Sequence, residues 1–202
     1  LSQAGGTMAR VAIDMQTRDN AQQTFAGSAA MQDKVEEYSN QALQRMGVNA
    51  QGLHEETDKW WDDTSREILD GATNPVARQA LEHQLQPMRA ALMGQVGRHE
   101  VRQQHTAVIS SADASNTSAA NAAAAHPNDP LVQQNARETI NRNIGAVARM
   151  EGFTEAQENA ARETQFTRLH LGVIQAQVDT HPDAAREYYQ AHIDEIAGTE
   201  HA

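Results

Sequence analysis

The residues whose types could do chemistry are the histidines, nine in all, and the adjacent acids Asp62 and Asp63 next to Trp61. A metal site read from sequence needs imidazoles on one face of one element, as in a His-Glu-x-x-His helix, and no such motif occurs. His99 and His105 are the closest pair; six positions on an ideal helix leave them about 120° apart, too far round for a shared ion. His192 falls on the apolar side of its helix and reads as a packed imidazole rather than a ligand. The histidines as a set read as scattered surface groups. Sugar hydrolysis needs carboxyls roughly 5 to 10 Å apart across a cleft. Asp62 and Asp63 are neighbours on a predicted helix and diverge, so they read as first-turn partners of the helix dipole. No Gly-x-Ser-x-Gly elbow, P-loop or Gly-x-Gly-x-x-Gly is present. Cysteine is absent, which removes disulfides, zinc ribbons and thiol nucleophiles. Asn116-Thr117-Ser118 matches a glycosylation acceptor, a pattern short enough to arise by chance. The expectation is a protein with no catalytic residues, no metal and no cofactor.

The elements that position these residues are helices. The plainest stretch runs from His126 to Ala197. Asp129 caps and Pro130 opens a helix whose apolar face is Val132, Ala136, Ile140, Ile144 and Val147, and Gly152 stops it. Thr154 with Gln157 forms a capping box for the next helix. That helix carries Phe166, Leu169, Val173 and Ala176 on one face and Leu171, Ile174 and Val178 on an adjoining one. His181-Pro182 breaks it, and residues 183–196 form a last helix before Gly198.

Upstream the signals are weaker. Residues 1–27 read as weakly structured or a short helix, with a loop or frayed end over 20–27. Ser28 caps a helix to Met46 with the stripe Met31, Val35, Tyr38, Ala42 and Met46. Thr57 caps a shorter helix to Gly71 that holds Trp60 and Trp61, the only two tryptophans. Neighbours on a helix point about 100° apart, so one indole can enter a core while the other lies on its rim. The bland reading of this pair is packing; the sharper one is a contact point for a partner protein. Asn74-Pro75 opens a helix with the stripe Leu81, Leu85, Met88, Leu92 and Val96, and Pro87 inside it predicts a kink. Gly94 and Gly97 either turn the chain or are passed by one continuous helix. Residues 98–125, rich in Ala and Ser, read as a thin helix or a linker, with helix favoured.

Hydrophobic residues make up 39% of the 202 and aromatics 4%, against roughly 45–50% apolar in ordinary globular domains. Lean, strongly helical sequence predicts an all-α fold: an elongated array of helical hairpins, solenoid-like or an open bundle, including at least one long helix. Pro75, Pro127 and Pro182, 52 and 55 residues apart, hint at a degenerate two-helix unit. The expected organisation is an N-terminal segment 1–27, a helical bundle portion 28–97 and a C-terminal hairpin array 98–202. The chain begins at Leu1, so it reads as part of a larger protein. The formal net charge is −11, with no Lys/Arg run, which disfavours tracking a phosphate backbone. No apolar run approaches the roughly 20 residues of a spanning helix.

From Arg98 onward the order of features resembles helical segments of tailed-bacteriophage and prophage structural proteins of the internal virion, DNA-ejection type. The residues that carry the likeness are Asp129-Pro130, Gly152-Phe153-Thr154-Glu155, Arg168-Leu169-His170, and Pro182 to Tyr189 with its Ala184-Ala185 and Tyr188-Tyr189 pairs. Such proteins can also carry a lytic transglycosylase domain whose catalytic Glu precedes Ser; this chain has no Glu-Ser pair. The resemblance implies a non-enzymatic virion building block, assembling with itself or other virion proteins and helping genome ejection. It implies no small-molecule substrate, no strong nucleic-acid binding, and a place in the virion after assembly in the bacterial cytoplasm. The competing readings are a helical-repeat adaptor or scaffold that binds a protein partner and, last, an enzyme fragment. The candidate partner contacts are Trp60, Trp61, Tyr188 and Tyr189.

Overall fold

The structure, a computed structural model, describes residues 2–196, with side chains from Arg10 onward. The fold is all-α: among the described residues every regular element is helical. In chain order these are α1 (Ser2–Leu43), a 3-10 turn (Gly47–Ala50), α2 (Leu53–Asp70), α3 (Pro75–Ala125), α4 (Pro130–Glu151), α5 (Glu155–Val178), α6 (Pro182–Ala191) and a second 3-10 turn (Ile193–Glu195). Two compact units divide inside α3, between His105 and Thr106, a few residues past the boundary expected at 97/98. The long helix is α3, 51 residues through Pro87, Gly94 and Gly97; the Ala- and Ser-rich stretch is its second half.

In the first unit, α1, α2 and the first part of α3 enclose Met31, Ala42, Leu53, Trp61, Leu81, Leu85, Leu92 and Val96. Of the stripes read from sequence, Met31, Ala42, Leu81, Leu85, Leu92 and Val96 are buried, Val35, Tyr38 and Met88 pack half-buried against them, and Met46 is 63% exposed. Four expectations change here. The segment expected over 1–27 is, in its described part, not a separate element, because α1 is continuous from Ser2 to Leu43. Gly27 lies inside that helix for a packing reason: a Cβ there would stand 2.5 Å from Leu81 Cδ2. Ser28 is therefore interior and caps nothing. Nor is Thr57 a cap. Helix α2 starts at Leu53, and the buried Thr57 hydroxyl donates back to the Leu53 carbonyl at 2.6 Å.

The cap of α2 comes instead from a distant residue. Gly52 sits in the left-handed region at φ 79° and offers no side chain. Glu100 on α3 fills the role: its two carboxylate oxygens accept from the Gly52 and His54 amides at 2.7 and 2.8 Å. An anion at a helix start satisfies orphan N–H groups and complements the dipole. One turn away on the same helix, Gln103 accepts from the Gly47 amide, and the buried His99 donates from Nε2 to the Arg45 carbonyl at 2.8 Å. Three polar side chains of α3 thus hold the α1–α2 loop.

In the second unit the caps follow the sequence. Asp129 accepts from the Leu131 and Val132 amides, Gly152 closes α4 at φ 68°, and Thr154 with Gln157 forms the capping box. The core is Ala120, Ala123, Ala136, Ile140, Ile144, Phe166, Leu169 and Val173. The small side chains of α3 admit α5 closely: a Cβ on Gly172 would lie 3.6 Å from Ala124 Cβ. The adjoining α5 face is not core, since Leu171 and Val178 are 44% and 48% exposed. The last helix ends at Ala191 rather than at 196. His192 leaves helical geometry at φ −124°, and the turn that follows carries Glu195 to its partner on α4. Gly198, expected to close that helix, lies outside the described residues.

Candidate functional site

The strongest concentration of interacting polar side chains is in the second unit, where α4, α5, α6 and the final 3-10 turn converge. α4 presents Gln133 and Arg137, one turn apart on one face. α5 presents His170, one position past core Leu169 and itself fully buried. α6 presents Tyr188. The chain beyond α6 supplies His192 and Glu195.

Arg137 and Glu195 form a bidentate pair, Nη1 to Oε2 at 2.6 Å and Nη2 to Oε1 at 2.7 Å. The guanidinium also lies over the Phe166 ring, 4.9 Å from its centre. His170 Nε2 is 3.0 Å from Glu195 Oε2, and its Nδ1 is 2.9 Å from the Tyr188 hydroxyl. Tyr188 donates to Gln133 Oε1 at 3.2 Å, and Gln133 Nε2 donates to the Ala123 carbonyl at 3.1 Å. The His192 ring stacks on His170, with centres 4.5 Å apart and planes 15° from parallel.

The electrostatics follow from this geometry. Hydrogen bonding from Arg137 brings the Glu195 carboxyl down to about 2, with His170 helping and partial burial opposing. Burial pushes the Tyr188 phenol up to about 12. It lowers both imidazoles from their ordinary value, against the pull of Glu195. At neutral pH the cluster therefore holds one carboxylate, one guanidinium, a neutral phenol and two neutral rings. Outside it, Tyr188 and His192 join Gln133, Gln134, Arg137 and Asn141 around an open groove of about 590 Å³.

No protein-family model, characterised protein or solved structure matches this chain.

The residues singled out from sequence fall in both units. Trp61 is 4% exposed, inside the first unit's core. Trp60 is half-buried and stacks on Tyr38, with ring centres 4.2 Å apart and planes at 15°. Tyr188 belongs to the polar cluster; Tyr189 is half-buried at the next position, about 100° round the helix. Asp62 shares Arg89 with Asp58, and Asp63 pairs with Arg66, so these acids make surface ion pairs. Asn116, the acceptor of the sequon, is buried and takes a hydrogen bond from Asn143 at 2.8 Å; it is no glycosylation site in the folded unit. The reading of the histidines as scattered surface groups fails for His99 and His170, both buried. His170 and His192, 22 positions apart, meet only through the α5–α6 hairpin. No periodicity within one helix reports such a pair.

Proposed function

We propose that the chain is a non-enzymatic structural module that assembles with copies of itself, as a phage or prophage virion component of the type its C-terminal half resembles. The observation that carries this reading is the N-terminal arm of α1. Residues 10–19 are exposed all round the helix, and Val11, Ile13, Met15 and, further on, Phe25 are 53%, 63%, 67% and 76% exposed. A helix gains most of its stability from packing an apolar face, and this segment has none packed within its unit. The arm is also electrically neutral, with Arg10 and Arg18 against Asp14 and Asp19, in a chain of net charge −11. Two such arms meet without the repulsion that the acidic surface imposes elsewhere. That favours a second copy as the occupant.

The same acidic surface suits a component that lies along a genome's path without retaining DNA. No helix among the described residues is long and apolar enough to cross a membrane, so envelope passage would rest on assembly with other proteins.

Mass measurement in solution tests the reading. The wild-type chain should form a defined oligomer, and the double variant Val11→Glu, Met15→Glu should be monomeric with unchanged helix content. A wild-type monomer at all concentrations sinks self-assembly and favours the adaptor reading, in which the groove beside Tyr188 takes a partner peptide. Retention of duplex DNA at about 0.15 M salt would count against the conduit role.

A further inference from the structure

The hydrogen-bond chain of the second unit's polar cluster is one donor short. The Ala123 carbonyl can only accept, so Gln133 must turn Nε2 toward it and Oε1 toward Tyr188. Tyr188 then spends its one proton on Gln133. Its oxygen is left to accept, and the proton in that contact comes from His170 Nδ1. A neutral imidazole has one N–H, so with that proton on Nδ1 the contact between Nε2 and Glu195 needs a second proton or another cation to fill it. The Nε2 lone pair faces a carboxylate oxygen of Glu195 at 3.0 Å. Arg137 Nη1 is 3.5 Å from Nε2 and already donates to the same oxygen at 2.6 Å, so it does not fill the gap. Two acceptors held 3.0 Å apart, one on a fully buried ring and the other on a half-buried carboxylate, want a proton or a metal cation between them.

We propose that His170 Nε2, His192 and Glu195 Oε2 bind a divalent transition-metal ion of the zinc class. One ligand atom from each lies within 4.8 Å of the others. Two imidazoles and a carboxylate are a common zinc donor set, with a fourth position left to water or a ligand. His170 has the supporting contact that metal-bound histidines show, since Tyr188 holds its other nitrogen and fixes the tautomer. Glu195 Oε2 has a second lone pair beyond the one Arg137 uses. His192 must turn out of its stack on His170, because parallel rings do not aim at one point. It stands just past the end of α6, half-buried and on the wall of the open groove, where that rotation has room. Ligation takes both rings in their neutral form, so binding should weaken as pH falls. Glu195 would offset part of the ion's charge, and Arg137, already paired with that carboxylate, would oppose it.

The test is titration of zinc(II), and of cobalt(II) as its visible reporter, into the untagged full chain. One tight equivalent is expected, with the absorption of four-coordinate cobalt. His192→Gln, at a half-buried position outside the core, should weaken binding by at least about tenfold. Tyr188→Phe should weaken it about ten- to a hundredfold and alter the cobalt spectrum, with helix content unchanged. His181→Gln, on an exposed turn, should change nothing. Absence of a tight equivalent overturns the proposal, and shows that a proton alone bridges Nε2 and Oε2. Binding that survives His192→Gln overturns it too, by placing the ion on other histidines.

Discussion

Arg137 and Glu195 meet fork to fork across 58 residues of chain, each guanidinium Nη group on its own carboxylate oxygen. This pair ties the chain beyond α6 back onto α4. Both side chains are about one-third exposed, so water screens part of the attraction.

The pair makes the second unit acid-sensitive. The Glu195 carboxyl lies at about 2 in the folded chain against an ordinary 4.5. Below 4.5 the unfolded chain takes up a proton that the folded one refuses. The stabilisation is thus fully present above that value and is lost as pH falls toward 2. Screening reduces it to about 1–2 kcal/mol. Lowered values at His170 and His192 act with the same sign, beginning below their ordinary 6.5. Urea unfolding followed from pH 7 to pH 3 in chelator should show this loss. Glu195→Gln should start less stable and show a shallower decline over the lower half of that range.

Glu100 replaces an absent N-cap on α2. Glu100→Ala would strip the Gly52 and His54 amides of their acceptor and cost about 1 kcal/mol, as loss of a local cap does. Glu100→Gln keeps one acceptor oxygen and loses the charge, so it should fall between. Urea midpoints for the two variants check the order. A Glu100→Ala midpoint equal to wild type would mean that water serves these amides as well as the carboxylate does.

The two tryptophans should separate cleanly. Trp61 fills the first unit's core, and Trp61→Ala should cost about 3–5 kcal/mol and threaten folding of that unit. Trp60 is half-buried, stacked on Tyr38 and packed at the core's edge, so Trp60→Ala should cost less, about 1–2 kcal/mol. Thermal unfolding of both distinguishes them. Comparable losses would mean that the half-buried ring is as enclosed as its neighbour. Only Trp60 can serve as a partner contact without unfolding the unit.

What the sequence made legible were the features with local causes. Asp129-Pro130, Gly152 and the Thr154–Gln157 box act over three or four residues, and each forms as read. The buried stripes of α3 and α4 were visible because helix periodicity is itself local. Features with distant causes were hidden. Gly27 looked like a loop residue because the reason for it is Leu81, and Thr57 looked like a cap because the true cap is Glu100. The cluster around His170 draws on residues from positions 123 to 195, so no window along the chain contains it. Its one sequence-level trace was His170 beside Leu169 on a core-facing stretch, a place that demands partners for a polar ring.

Gly27 offers the sharpest check on how the first unit packs. Leu81 is fully buried and its methyls occupy the space a side chain at position 27 would need; the nearer one lies 2.5 Å from where a Cβ would stand. Gly27→Ala brings about 1 kcal/mol of helix propensity against that clash, so the two effects nearly cancel. Gly27→Val adds two further carbons and a poorer helix former, and overpacking should win by about 1–3 kcal/mol. Leu81→Ala opens the space, so the double variant Gly27→Val, Leu81→Ala should be more stable than the sum of the single losses predicts. Additive losses in that cycle, measured by denaturant unfolding, would mean that α1 and α3 do not touch at this point and that the glycine is there for another reason.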